Sequence, residues 1–104
     1  MKTWPKSLAA FQQLVNERGQ SLRSMSIEEI ARVAEAPEER FVFDGRESTI
    51  GIIVQPQKDA SHRVVVQGFM KAKILGKNVA LDGFYKWPDG SITEMSAEEF
   101  YEFD

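Results

Sequence analysis

His62 to Trp87 reads HRVVVQGFMKAKILGKNVALDGFYKW, and its alternation decides the architecture of the whole chain. Val64, Val66, Gly68, Met70, Ala72 and Ile74 are apolar or small, while Arg63, Gln67, Lys71 and Lys73 stand between them. That is the two-residue period of a half-buried strand. Gly76, Lys77 and Asn78 tolerate a tight reversal, and Val79, Ala80 and Leu81 resume an extended run that ends at Phe84, Tyr85 and Trp87. A long hairpin follows. A hairpin alone is marginal in water, so the rest of the chain has to add strands and cover the apolar face.

Upstream, the period changes twice. Leu8, Phe11, Leu14 and Val15 recur at helical spacing between Pro5 and Gly19, which predicts an amphipathic helix near residues 5 to 18, capped by Ser7 or Thr3 and stopped by Gly19. A second helix is expected from Ser26, where Ser26 and Glu29 have capping-box spacing and Ile27, Ile30, Val33 and Ala34 form the stripe; Pro37 ends it. From Arg40 the period becomes two. Phe41 and Phe43 flank Val42, Asp44-Gly45 supplies a turn, and Thr49 to Gln55 is rich in β-branched residues, with Gly51 marking a bulge or a close approach.

Downstream of the hairpin, Pro88-Asp89-Gly90 is a turn and Ser91 to Met95 a short fifth strand. Ser96 and Glu99 repeat the capping-box spacing and open a helical turn that holds Phe100, Tyr101 and Phe103. The fold expected is therefore α+β: two N-terminal helices on a roughly five-stranded antiparallel meander, flat or curved toward a half-barrel, with a short C-terminal helical turn. All 104 residues fall in one domain. Strand parity places Ile50, Ile52 and Val54 with Val64, Val66, Met70 and Ile74 under the helices. The opposite face, with Thr49, Gly51, Ile53, Val65, Gln67, Phe69 and Lys71, is mixed and calls for a partial cover. The C-terminal turn, sheet curvature or a second copy would supply one.

The composition, 42% hydrophobic and 28% charged, is that of a folded soluble domain. No apolar run approaches a membrane span and the opening residues lack the pattern of an export signal, so a cytoplasmic protein is expected. Zero cysteines exclude disulfides, thiolate metal sites and cysteine nucleophiles. The net charge of -3 disfavours a general nucleic-acid binder, yet it is unevenly spread. Residues 58–87 carry six basic and two acidic side chains, and residues 88–104 carry six acidic and none basic.

Catalytic and metal readings are weak. The only histidine, His62, follows Asp59 and Ser61, but three near-adjacent turn residues do not form a triad. The same residue shortage leaves no ordinary zinc set, and Glu94, Glu98, Glu99, Glu102 and Asp104 lack the glycine-centred calcium-loop pattern. The Asp-Gly pairs at 44, 82 and 89 read as turn or bulge chemistry, with no phosphate-loop spacing, and convergence of Asp44, Glu47 and Asp82 on one site is not expected. No catalytic residue, metal or cofactor is predicted.

The remaining feature is the interleaving of aromatic and basic residues in the hairpin. Phe69, Lys71, Lys73, Phe84, Tyr85 and Trp87 form the candidate binding surface, with Lys77 and Lys86 beside them. Such a surface suits either single-stranded nucleic acid, through phosphate contacts and stacking, or another protein, through aromatic anchors in a polar rim. Because the acidic C-terminal stretch competes with phosphate, a protein partner or a second copy is the expected occupant. A small enzyme using carboxylates is the weakest alternative.

Overall fold

The computed structural model describes residues 6–72 and 75–100. The element order is α1 (Lys6–Arg23), α2 (Ile27–Glu35), β1 (Glu39–Phe43), β2 (Arg46–Pro56), β3 (His62–Lys71), β4 (Lys77–Lys86), β5 (Ile92–Glu94) and α3 (Ala97–Phe100). All five strands are antiparallel neighbours in chain order, and the sheet is open. This is the expected α+β arrangement.

Register confirms the parity reading. Val64, Val66 and Gly68 of β3 face Val54, Ile52 and Ile50 of β2 on one side and Phe84, Asp82 and Ala80 of β4 on the other. Direct cross-strand partners share a face, so these residues form the floor on which the helices lie. α1 packs on β3 and β4, and α2 on β2. Phe11, Val15, Gly19 and Leu22, three or four residues apart along α1, are its buried stripe. Phe11 is wholly buried and meets Phe43 and Phe41 of β1 at ring-centroid distances of 5.4 and 6.4 Å. Burying one such side chain contributes roughly 2–3 kcal/mol, so this trio anchors α1 to the first hairpin. Gly68 lets the helix settle closely: a Cβ there would lie 2.8 Å from Val15 and 2.9 Å from Phe11.

Ser26 caps α2 as its spacing implies, its hydroxyl accepting from the Glu29 amide at 3.2 Å while the Glu29 carboxylate accepts from the Ser26 amide at 3.3 Å.

Several expectations are corrected. α1 does not stop at Gly19 but runs to Arg23, because Gly19 serves as a point of close approach to β4 and keeps helical geometry. Ser7 lies inside that helix and its hydroxyl accepts from Arg46 at 3.2 Å, so it is no cap; Thr3 lies outside the described residues. Asp82-Gly83 is neither turn nor bulge: both sit in mid-strand, opposite Val66 and Val65. Gly51 pairs regularly with Gln67 and makes no bulge. β3 ends at Lys71, and Lys73 and Ile74 lie outside the described residues.

Two hairpin loops share one geometry. In 57–61 the Gln57 amide donates to Ser61 O at 2.9 Å and the Ala60 amide to Gln57 O at 3.3 Å; in 87–91 the corresponding bonds, Trp87 to Ser91 and Gly90 to Trp87, are both 2.9 Å. Asp59 and Asp89 each accept from the amide of the serine two residues on, at 3.0 and 2.9 Å. The hydroxyls of Ser61 and Ser91, and then these amides, hold both carboxyls below their ordinary pKa. The Asp59, Ser61, His62 cluster is therefore a turn, as expected.

Candidate functional site

The sheet face away from α1 and α2 can be read in rows across the strands. Arg40, Thr49, Phe69 and Val79 form one row, Gly51, Gln67 and Leu81 the next, then Ile53, Val65 and Gly83, then Gln55, Arg63, Tyr85 and Thr93. The C-terminal segment covers the last two rows. Met95 is buried on Gly83 and beside Val65, and Val65 is wholly buried. α3 is tied down by a hydrogen bond from the Tyr85 hydroxyl to the Glu99 carboxylate, and the Ser96 amide donates to the same carboxylate at 2.7 Å. That bond holds the Glu99 carboxyl below, and the Tyr85 phenol above, its ordinary pKa.

The first two rows carry no such cover among the described residues. Phe69, Val79 and Leu81 are half-buried there, and Ile53 is half-buried at the start of the next row. A recess of about 600 Å³ opens at this end, lined by Phe41, Val42, Thr49, Phe69, Lys71 and Lys77. Val42 is 70% exposed, and Leu75, in the turn at the same end of the sheet, 88%. The Lys77 ammonium sits over the Phe69 ring, 4.3 Å from its centroid. Lys71 and Lys77 are direct cross-strand partners, and no carboxylate pairs with either among the described residues.

The predicted surface thus divides. Phe69 and Lys71 meet at the open end. Tyr85 lies on the same face but under α3, and Trp87 beyond it, its indole N–H donating to the Thr93 hydroxyl at 2.9 Å. Phe84 is a correction: it is wholly buried on the opposite face, in the core beneath the helices. In β4 the even positions Ala80, Asp82 and Phe84 face the helices and the odd ones face away. Lys86 shares that helix side and donates to the Arg23 carbonyl at 3.2 Å, placing a cation at the C-terminus of α1.

A second constellation was not anticipated. Arg23, at the end of α1, holds Asp82 with two bonds of 2.7 and 3.1 Å and Glu94 of β5 with two of 3.0 and 2.5 Å. Its guanidinium also lies over the Phe84 ring, 4.7 Å from the centroid. The Arg23 and Asp82 side chains are 11% and 17% exposed, and Glu94 is 63% exposed. Hydrogen bonds donated to Asp82, then to Glu94, raise the Arg23 pKa above its ordinary value. The signal was present in the sequence, since Asp82 stands between Ala80 and Phe84 on the buried parity and a carboxylate there needs a cation. Both carboxylates are held by the one guanidinium, so the cluster joins helix to sheet. Asp44 and Glu47, exposed at the first hairpin, stand across β2 and β3 from Asp82 and form no site with it.

Among the described residues no group of three or more His, Asp or Glu could hold a metal ion, and no helix is long and apolar enough to cross a membrane. Comparison with protein-family models, with curated proteins and with solved structures finds no match.

Proposed function

We propose that this protein is a non-enzymatic binding module, acting in the cytoplasm, whose open sheet face receives an apolar segment of another protein chain. The observation that carries the reading is the division of one sheet face into a half covered by Met95 and α3 and a half left open. The open floor of Phe69, Val79 and Leu81, with Val42 and Leu75 at its edge and lysines around it, has the make-up of a protein interface: apolar centre, charged rim. Single-stranded nucleic acid is the competing occupant, and the same geometry counts against it. Stacking needs free aromatic faces. Phe84 is in the core, Tyr85 is beneath α3, and one face of Phe69 already carries the Lys77 ammonium.

Two titrations separate the readings. Peptides selected by phage display on the immobilised full chain are expected to be apolar, to bind with weak salt dependence, and to lose binding to the Phe69→Ser variant. Fluorescence anisotropy with single-stranded oligonucleotides is expected to show no binding. Oligonucleotide affinity that falls steeply with salt and with Lys71→Ala would overturn the proposal, because that dependence is the mark of counterion release.

A further inference from the structure

β1 stops before β2 does. Glu39, the first residue of β1, pairs with Ile50, and β2 runs on to Pro56 with a strand on its β3 side only. The direction of its backbone groups follows from the ladder. Cross-strand bonds of an antiparallel pair fall on alternate residues, and at the end of this one the Gln57 amide donates to Ser61 O. Gln55, Ile53 and Gly51 therefore turn their N–H and C=O toward β3, and Ile52 and Val54 turn theirs the other way, where β1 has ended. Among the described residues no backbone bond joins Ile52 or Val54 to residues 36–38. Pro56, next on that side, has no N–H to offer, which is where a sheet tolerates proline.

Beside this edge lies a cavity of about 480 Å³, walled by Val33 and Ala34 of α2, by Ala36 and Pro37, and by Ile52 and Ile53 of β2. Val33 is 39% exposed, although it belongs to the apolar stripe of its helix. The charged side chains at the margin are already engaged, Arg18 with Glu39 at 3.0 Å and Glu38 with Arg40 at 3.7 Å. Backbone donors and acceptors without a strand partner, set against an uncharged apolar wall, suit an occupant that brings an extended backbone of its own.

We propose that the segment received by this protein docks as an added β-strand, in line with β1, hydrogen-bonded to Ile52 and Val54 at the edge of β2. This rests on the protein-binding reading and gives the partner its chemistry: an extended run of uncharged apolar residues. Its side chains opposite Ile52 and Val54 lie on the helix side, toward Val33, and the one between them lies beside Ile53 on the other face. A flexible segment suits this edge better than a second copy of β2. The copy would bring along its own residues 36–38, which stand on the same edge, with the Glu38 Cβ 3.7 Å from where a Gly51 Cβ would lie, into the path of the first.

Amide hydrogen exchange of the full chain, followed residue by residue by NMR, tests it. In the free protein Ile53 and Gln55, bonded to β3, should exchange slowly, and Ile52 and Val54 fast. Saturation with a phage-selected peptide should slow Ile52 and Val54 by roughly tenfold or more and leave Ile53 and Gln55 unchanged. N-methylation along the peptide should abolish binding at alternate residues only, because a strand offers every second amide to its neighbour. Val54→Pro removes one donor from the open side, where Pro56 already lacks one, and should weaken the peptide about tenfold. Circular dichroism melts establish that the variant is folded. Slow exchange at Ile52 and Val54 in the free monomer, or peptides indifferent to both Val54→Pro and N-methylation, overturns the inference. In the latter case, loss of binding in Phe69→Ser leaves the protein-binding reading standing. Protection of Ile52 and Val54 that appears only as the free chain dimerises, in sedimentation equilibrium, gives the edge to a second copy and overturns the inference too. Failure to select any apolar peptide sinks both.

Discussion

The carboxylate of Asp82 in β4 occupies the space that a side chain on Gly19 of α1 would need, so helix and strand meet there with nothing between them. Arg23, one turn further along α1, reaches back to grip that carboxylate at 2.7 Å. Helix position, strand position and ion pair are thus one arrangement.

Its first consequence is a reversal of sign. Gly to Ala in a helix interior ordinarily adds about 1 kcal/mol of stability. Here Gly19→Ala should remove roughly 2 kcal/mol instead, because the methyl group displaces Asp82 and forces repacking of a well-filled site. Urea denaturation of the variant measures it; a gain in stability would mean that α1 does not sit where the structure has it.

The ion pair itself gives the second prediction. Arg23→Ala leaves a mostly buried Asp82 carboxylate without its cation and should cost about 3 kcal/mol. Glu94→Gln touches a partner that is 63% exposed and screened by water, and should cost less than ~1 kcal/mol. Adding Asp82→Asn to Arg23→Ala removes the orphaned charge and should recover part of the loss. A double-mutant cycle in denaturant reports the coupling; additive losses would mean that the pair contributes nothing beyond its separate contacts.

Much of the fold is legible in the chain because it follows from parity and spacing: Val64, Val66 and Met70 alternate cleanly, and Ser26 with Glu29 announces a helix start. Errors came where a residue's meaning depends on a distant partner. Gly19 looks like a terminator and Asp82-Gly83 like a turn until Arg23 and the helix are placed against them. Phe84 groups with Tyr85 and Trp87 by aromatic character alone, although the parity that runs through Ala80 and Asp82 puts it on the buried face. The division of the outer face was not legible either, since it depends on Met95 folding back over Gly83 at a separation of twelve residues.

The paired loops allow a reciprocal test. Ala60 holds φ at 75°, a left-handed conformation that a Cβ disfavours, and Gly90 occupies the matching place in the other loop with φ at 89°. Ala60→Gly should therefore raise stability by roughly 0.5–1 kcal/mol, the strain relieved exceeding the added freedom of the unfolded chain. Gly90→Ala should lower it by about 1 kcal/mol. Thermal melts of both variants decide; changes of the same sign would show that the two loops are not equivalent in solution.

The last prediction concerns the cover formed by Met95 and α3, whose hold depends on pH from both sides. The Glu99 carboxyl titrates below its ordinary range because it accepts first from Tyr85 and then from Ser96, with Arg63 nearby. A depressed carboxyl contributes stability that is present above the unfolded value of about 4.3 and is lost as pH falls through the lower folded value. The Tyr85 phenol is raised, chiefly by donating to Glu99, although Arg63 pulls the other way. A raised phenol contributes stability that is present below about 10 and is lost as pH rises through the higher folded value. α3 should accordingly be docked through the neutral range and loosen at both extremes. The Met95 methyl resonance, followed by NMR, should move toward its free-chain position in acid before the protein unfolds. Tyr85→Phe or Glu99→Gln should produce the same displacement at neutral pH while changing global stability by only ~1 kcal/mol. A methyl shift that stays constant from neutral pH down to the global acid transition would mean that the hydroxyl and the carboxylate do not hold the cover in place.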